Sequence, residues 1–163
     1  QTKEKYGENA DTYLKIFLAN TDEEAKASEA KIALFNFAAL PAHLLAVYNS
    51  KPAFIYQSSY TPTDKPGFPN YGAFHTSVVP YALHTLHLWK RPWQKQDYDV
   101  QELMSSYWIQ FIKTGNPNGN GLPNWSAYNK TAGAILEINS TTIIKPALFK
   151  KEFDLLEKLN ERN

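Results

Sequence analysis

From Val100 to Ile112 the apolar residues Val100, Leu103, Met104, Tyr107, Trp108, Phe111 and Ile112 fall at i, i+3, i+4, i+7, i+8, i+11 and i+12, the stripe of one helix face. Asp97-Tyr98-Asp99 is placed to cap the start of this helix and Gly115 to end it, just past the last turn. This is the most regular stretch of the chain. Further upstream the same period is weaker. Residues 1–8 are charged and polar and read as loose chain. Asn9 or Asp11 caps a short helix through Leu18, with Tyr13, Ile16 and Phe17 as its apolar face. Thr21-Asp22-Glu23-Glu24 has the form of a capping box. The helix it opens carries Ala25, Ile32, Leu34, Phe35 and Phe37 to about Ala39, and Pro41 starts a further helix with Leu44, Leu45, Val47 and Tyr48.

After the break at Lys51-Pro52, residues 53–60 are short, aromatic and β-branched, which predicts a strand. Residues 61–72 hold three prolines and two glycines and read as loop. Val79 to Trp89 is a short helix or a turn-rich apolar segment. Residues 116–123 form a turn-rich loop, from which Trp125 and Tyr128 return to the body. Residues 134–138 are a candidate edge strand. Pro146 opens a last amphipathic helix with Leu148, Phe149, Phe153, Leu155, Leu156 and Leu159. Helices with two short strands make an α/β chain whose sheet is incomplete, read over 1–163 as a single unit.

A chain of 163 residues is long enough for a real core. With 43% hydrophobic and 20% charged residues it is a folded chain and not a disordered tail. Lys and Arg total 17 against 16 acidic residues, and a net charge of +1 carries no electrostatic footprint for nucleic acid. The absence of cysteine removes disulfides, thiolate nucleophiles and Cys-based zinc sites, and it leaves the redox compartment open. No apolar run approaches the roughly 20 residues of a membrane helix, so no membrane partner is expected. The first residue is Gln1 and no signal-peptide pattern follows it. The expectation is a cut precursor or a piece of a longer chain, with any targeting signal outside it and secreted or periplasmic locations both open.

Four histidines carry the candidate chemistry. His75 lies in the loop between the strand at 53–60 and the apolar segment that follows, a place where an imidazole can serve as general acid and base. His84 and His87 are three residues apart, within reach of one metal if helical. With no cysteine, and no acid between Thr76 and Trp93, packing or capping is the better reading, and no metal or cofactor is expected. His43 reads as an ordinary helical residue. Of the tryptophans, Trp108 belongs to the periodic apolar face and hence to a core, whereas Trp89 and Trp93 flank Lys90-Arg91-Pro92 and fit an exposed site or an interface.

Gly72-Ala73-Phe74-His75 through Pro80-Tyr81, residues 107–118 (Y-W-I-Q-F-I-K-T-G-N-P-N) and Leu122-Pro123-Asn124-Trp125 together resemble the C-terminal part of the type-B carboxylesterases. This is the carboxylesterase/cholinesterase branch of the α/β-hydrolase fold, and the order of its late motifs is followed over nearly the whole chain. The resemblance implies an α/β-hydrolase fold, a small-molecule ester substrate and a role for His75 as the catalytic histidine. It implies equally that the serine, the acid and the oxyanion hole belong to an upstream part of the same protein. No glycine here flanks a serine in the Gly-x-Ser-x-Gly manner. The isolated chain is therefore expected to be inactive and, with unpaired strand edges, to self-associate. Two positions depart from the family: Thr76 stands where it has Gly, and Val78 where it has Glu. They motivate a competing reading, a non-catalytic relative whose scaffold serves adhesion or partner binding. A third reading is a free-standing small α/β binding module.

Overall fold

The computed structural model describes residues 2–147 and 149–160. In chain order its elements are α1 (Thr2–Tyr6), a 3₁₀ turn (Gly7–Asn9), α2 (Ala10–Ile16), α3 (Asp22–Leu34), a π turn (Phe35–Ala39) and α4 (Leu40–Tyr48). There follow β1 (Tyr56–Ser58), α5 (Val79–Ala82), a 3₁₀ turn (Leu86–Leu88), α6 (Lys95–Thr114), β2 (Ala134–Ile138), β3 (Ile143–Pro146) and α7 (Lys150–Asn160). The backbone groups into two compact units. One is built from the chain up to Ala53, residues 129–133 and the chain from Pro146 onward; the other from residues 54–128 and 134–145.

In the first unit the stretch expected to be loose is helical. Tyr6 stacks on Tyr13 with ring centroids 4.2 Å apart, and Tyr13 packs on Phe17 at 4.8 Å, giving the polar N-terminal turns an aromatic stripe to close on. The Thr21 hydroxyl accepts from the Glu24 amide at 3.1 Å, so Thr21 caps as expected, but the Glu24 carboxylate accepts from the Asn20 amide at 2.8 Å, one residue further back than a reciprocal capping box requires. Pro41 does not begin a separate helix. Its ring lacks an N–H and crowds the carbonyl four residues back, and the widened π turn at Phe35–Ala39 absorbs this without breaking the helix.

The result is one helix from Asp22 to Tyr48, 27 residues long. This corrects the expectation drawn from apolar runs: an 18-residue window of it is apolar enough to cross a membrane by length and composition, with 11% of that window buried. Asn36, Pro41 and His43 interrupt the apolar run without adding charge, which hid it from a search for continuous apolar sequence. Signal sequences and the mostly buried core helices of water-soluble proteins meet the same criterion.

Phe35, Phe149 and Phe153 form the core of this unit. His43 is buried and lies flat on the Phe153 ring at 4.1 Å, a packing residue and not merely one position on a helix. Lys31 pairs with the buried Glu152 at 2.5 Å. α7 starts at Lys150 and not at Pro146, because Pro146 is taken up by β3 and the Ala147 amide bonds to the Gly133 carbonyl at 2.6 Å. Leu148 and the side chains of Leu156 and Leu159 lie outside the described residues.

In the second unit the sheet order is β1-β2-β3. β1 and β2 run parallel, with Tyr56 opposite Leu136, Gln57 opposite Glu137 and Ser58 opposite Ile138. β2 is thus central and not an edge, because residues 143–146 form a strand the hydrophobic pattern did not announce. β1 is confined to three residues of the expected 53–60, although the Leu136 amide bonds to the Ile55 carbonyl at 3.1 Å and the Ser59 amide to the Ile138 carbonyl at 3.0 Å just beyond its ends. Leu136 and Ile138 of β2 are fully buried with Tyr60, Tyr81, Leu86, Val100, Met104, Tyr107 and Trp125.

The α6 stripe is realised, but the helix begins earlier than expected. Gln94 is the N-cap, and Asp97 completes a capping box from the third helical position. Gly115 ends the helix at φ +75°, a conformation that favours glycine. Val100, Met104 and Tyr107 are buried, while Ile112 at the far end is 79% exposed. In the following loop Asn118 accepts from the Trp125 amide at 2.7 Å and donates to the Trp125 carbonyl at 2.9 Å. The Trp125 indole in turn donates to Ile55 at 3.2 Å, and the Tyr107 hydroxyl to Pro123 at 2.7 Å.

Candidate functional site

β1 feeds a long loop. Tyr60 and Pro62 are buried, and the chain then runs exposed from Asp64 to Tyr71. Asn70 closes this stretch on itself: its amide donates to Asp64 while its carbonyl oxygen accepts from the Gly72 amide at 2.7 Å. Tyr71 and Phe74 meet edge to face at 6.3 Å. His75 then opens a tight turn. The Ser77 amide bonds to the Phe74 carbonyl at 3.0 Å and the Val79 amide to the Thr76 carbonyl at 3.1 Å, leading directly into α5. Thr76 takes φ +74°, the left-handed region. His75 is exposed, whereas Ser77 is buried and Val78 packs against the core. A turn anchored inward at Ser77 and Val78 therefore carries an exposed histidine in the connection from β1 to α5.

The other histidines do not join it. The His84 ring, at φ +56°, bonds to the Glu102 carboxylate on α6 at 2.7 Å, and His87 lies exposed on the second 3₁₀ turn. Among the described residues no cluster of three or more His, Asp or Glu is placed to hold a metal ion.

Trp108 and Trp125 line an aromatic cavity of about 240 Å³ with Phe54, Tyr56, Tyr107 and Phe111. Trp108 is thus part of a pocket wall as well as of the core. Its lining includes no residue of the His75 turn. Trp93 is anchored inward by its indole N–H to the Leu86 carbonyl at 2.9 Å, and Trp89 is 60% exposed, so the two tryptophans that read alike in sequence part company.

Asp97 is the residue whose role the sequence understated. It is fully buried at the start of α6. Oδ1 accepts from the Tyr81 hydroxyl at 2.8 Å, the Tyr60 hydroxyl at 3.1 Å and the Thr63 amide at 3.2 Å. Oδ2 accepts from the Gln94 amide at 2.9 Å and from the Thr63 hydroxyl. Burial raises the carboxyl's pKa, but the bonds from Thr63, Gln94 and Tyr81 outweigh it and the net displacement is downward. Burial, together with the Asp97 charge and hydrogen bond, pushes the Tyr60 and Tyr81 phenols well above their ordinary value. The signal in sequence was the spacing Gln94-x-x-Asp97; the three other contributors are distant along the chain.

A sequence model of the carboxylesterase family matches residues 3–156. Carboxylesterase 1C of Rattus norvegicus is 27% identical over 136 residues, covering 77% of this chain and 24% of its own length. Carboxylesterase 1E of the same organism is 38% identical over 58 residues, covering 36% of this chain and 10% of its own. Among solved structures, a thermophilic PNB esterase superposes with a TM-score of 0.66 at 19% identity, over 95% of this chain and 32% of its own. The Geobacillus stearothermophilus carboxylesterase gives 0.62 at 20% identity, over 94% and 33%. The chain belongs to the carboxylesterase family, and its fold is that of part of an α/β-hydrolase. It spans about a quarter of the length of the carboxylesterase 1C relative, and about a third of the thermophilic esterase.

Proposed function

We propose that this chain supplies the histidine of a serine carboxylic-ester hydrolase, with His75 as general base and then general acid for a serine contributed by an upstream part of the same protein. In that reaction the imidazole takes the proton of the serine hydroxyl as its oxygen attacks the ester carbonyl. It then returns the proton to the departing alkoxide, and repeats the cycle with water. The observation that carries the reading is the placement of His75: exposed, one residue before a left-handed turn, between the strand β1 and the helix α5, in a chain of the carboxylesterase family. Supporting it, β1 lies at the end of the strand order and has no strand on its outer side among the described residues, which suits pairing with an upstream strand. Phe37, Leu45, Tyr48 and Ile112 are exposed, and upstream chain would cover them.

The test is ester hydrolysis by the intact protein that carries this chain. His75→Ala should lower kcat on a short-chain aryl ester by several orders of magnitude, about 10³-fold or more. Wild-type turnover by the variant would overturn the assignment. The 163-residue chain by itself should take up no serine-directed phosphonate.

A further inference from the structure

We propose that Asp97 is the positioning residue of the histidine turn, its buried carboxylate holding both ends of the segment between Thr63 and Tyr81 to one point at the start of α6. The proposal rests on the reading of His75 as the base. Thr63 precedes the segment and offers both its amide and its hydroxyl; Tyr81 follows it and offers its phenol at 2.8 Å. Tyr60, just upstream, adds a third tie to the incoming chain at 3.1 Å.

The segment needs such a tie. From Asp64 to Val78 it contains no helix or strand, its side-chain closures by Asn70 are local, and Val78, which packs against the core, lies at its far end. Without long-range anchors, a loop of this length leaves the orientation of its tip to fluctuation, since closing it costs entropy that no local contact returns. Capping α6 alone does not explain the arrangement. An exposed acid at the third helical position caps equally well, whereas a buried carboxylate served only by neutral donors carries a large desolvation cost. Five donors are gathered on it, and all but Gln94 come from the two ends of the histidine segment. The carboxylate is spent on the loop.

The donors are tested rather than Asp97 itself, whose removal risks the fold. Amide hydrogen exchange is followed by mass spectrometry on the intact protein for wild type, Tyr81→Phe, Thr63→Val and Thr63→Ser. Exchange at residues 72–78 should quicken about 10-fold in Tyr81→Phe and Thr63→Val, with α6 unchanged and Thr63→Ser close to wild type. In the same variants kcat for an aryl ester should fall by about the same factor with KM unchanged. Unchanged exchange at 72–78, equal quickening there and in α6, or quickened exchange with undiminished kcat would each overturn the positioning role. If His75→Ala turns over ester like wild type, the reading of His75 fails instead, and the exchange data still judge the clamp.

Discussion

Thr76 holds a β-branched side chain at φ +74°, a conformation that costs an L-residue roughly 1–2 kcal/mol because Cβ crowds the carbonyl. The family's glycine at this place would adopt it freely, so the departure noted in sequence carries a specific stability cost. Thr76→Gly should stabilise the protein by about 0.5–1 kcal/mol, the relief being partly offset by the freedom glycine gains when unfolded. Thr76→Ala, which keeps Cβ, should recover little of it. Urea midpoints at unchanged m-value measure both. A fall in midpoint for Thr76→Gly would mean that the threonine side chain makes a contact worth more than the strain. Val78 departs differently: it packs against the core where the family has a carboxylate, so the turn behind His75 is fastened by apolar contact.

At the scale of elements, the motif after α6 acts as a buckle. The helix stops at Gly115, the chain turns through the buried Pro117, and Asn118 grips both main-chain groups of Trp125. Trp125 then packs edge to face on Tyr107 at 5.3 Å and bonds through its indole N–H to Ile55, the residue that precedes β1. One amide side chain thereby joins α6 to the sheet. Asn118→Ala should cost about 2 kcal/mol, two hydrogen bonds at roughly 1 kcal/mol each, and should weaken the near-ultraviolet circular dichroism of the tryptophan cluster. Unaltered stability would show that the loop is held by Pro117 and the aromatic packing alone. The motif was legible in sequence, and its physical purpose emerges from the pairing of positions 118 and 125.

For the whole molecule, the Asp97 hub makes stability depend on pH at both extremes. The Asp97 carboxyl sits below its ordinary 3.8, so its contribution is present above that pH and is lost as pH falls through the folded value. The Tyr60 and Tyr81 phenols sit above their ordinary 10.0, so their contribution is complete below pH 10. Above it, the unfolded chain gains by releasing protons that the folded chain retains. Denaturation midpoints should therefore fall between pH 10 and 11, and Tyr60→Phe should flatten that fall while lowering the midpoint at pH 7. An equally steep fall in Tyr60→Phe would locate the alkaline sensitivity elsewhere, for instance at Tyr107, which burial raises to about 12. The sequence by itself determined what is written in short-range order. The α6 stripe, the Thr21 cap, the glycine stop at 115 and the motif sequence around His75 each depend on residues a few positions apart. Only the tertiary structure decided that Ile143–Pro146 pairs to make β2 central, that His43 is a packed ring, and that Asp97 joins residues 60, 63 and 81. A strand's partner and a buried acceptor's donors are fixed by which distant segments share the same few ångströms of space, and no local pattern encodes that.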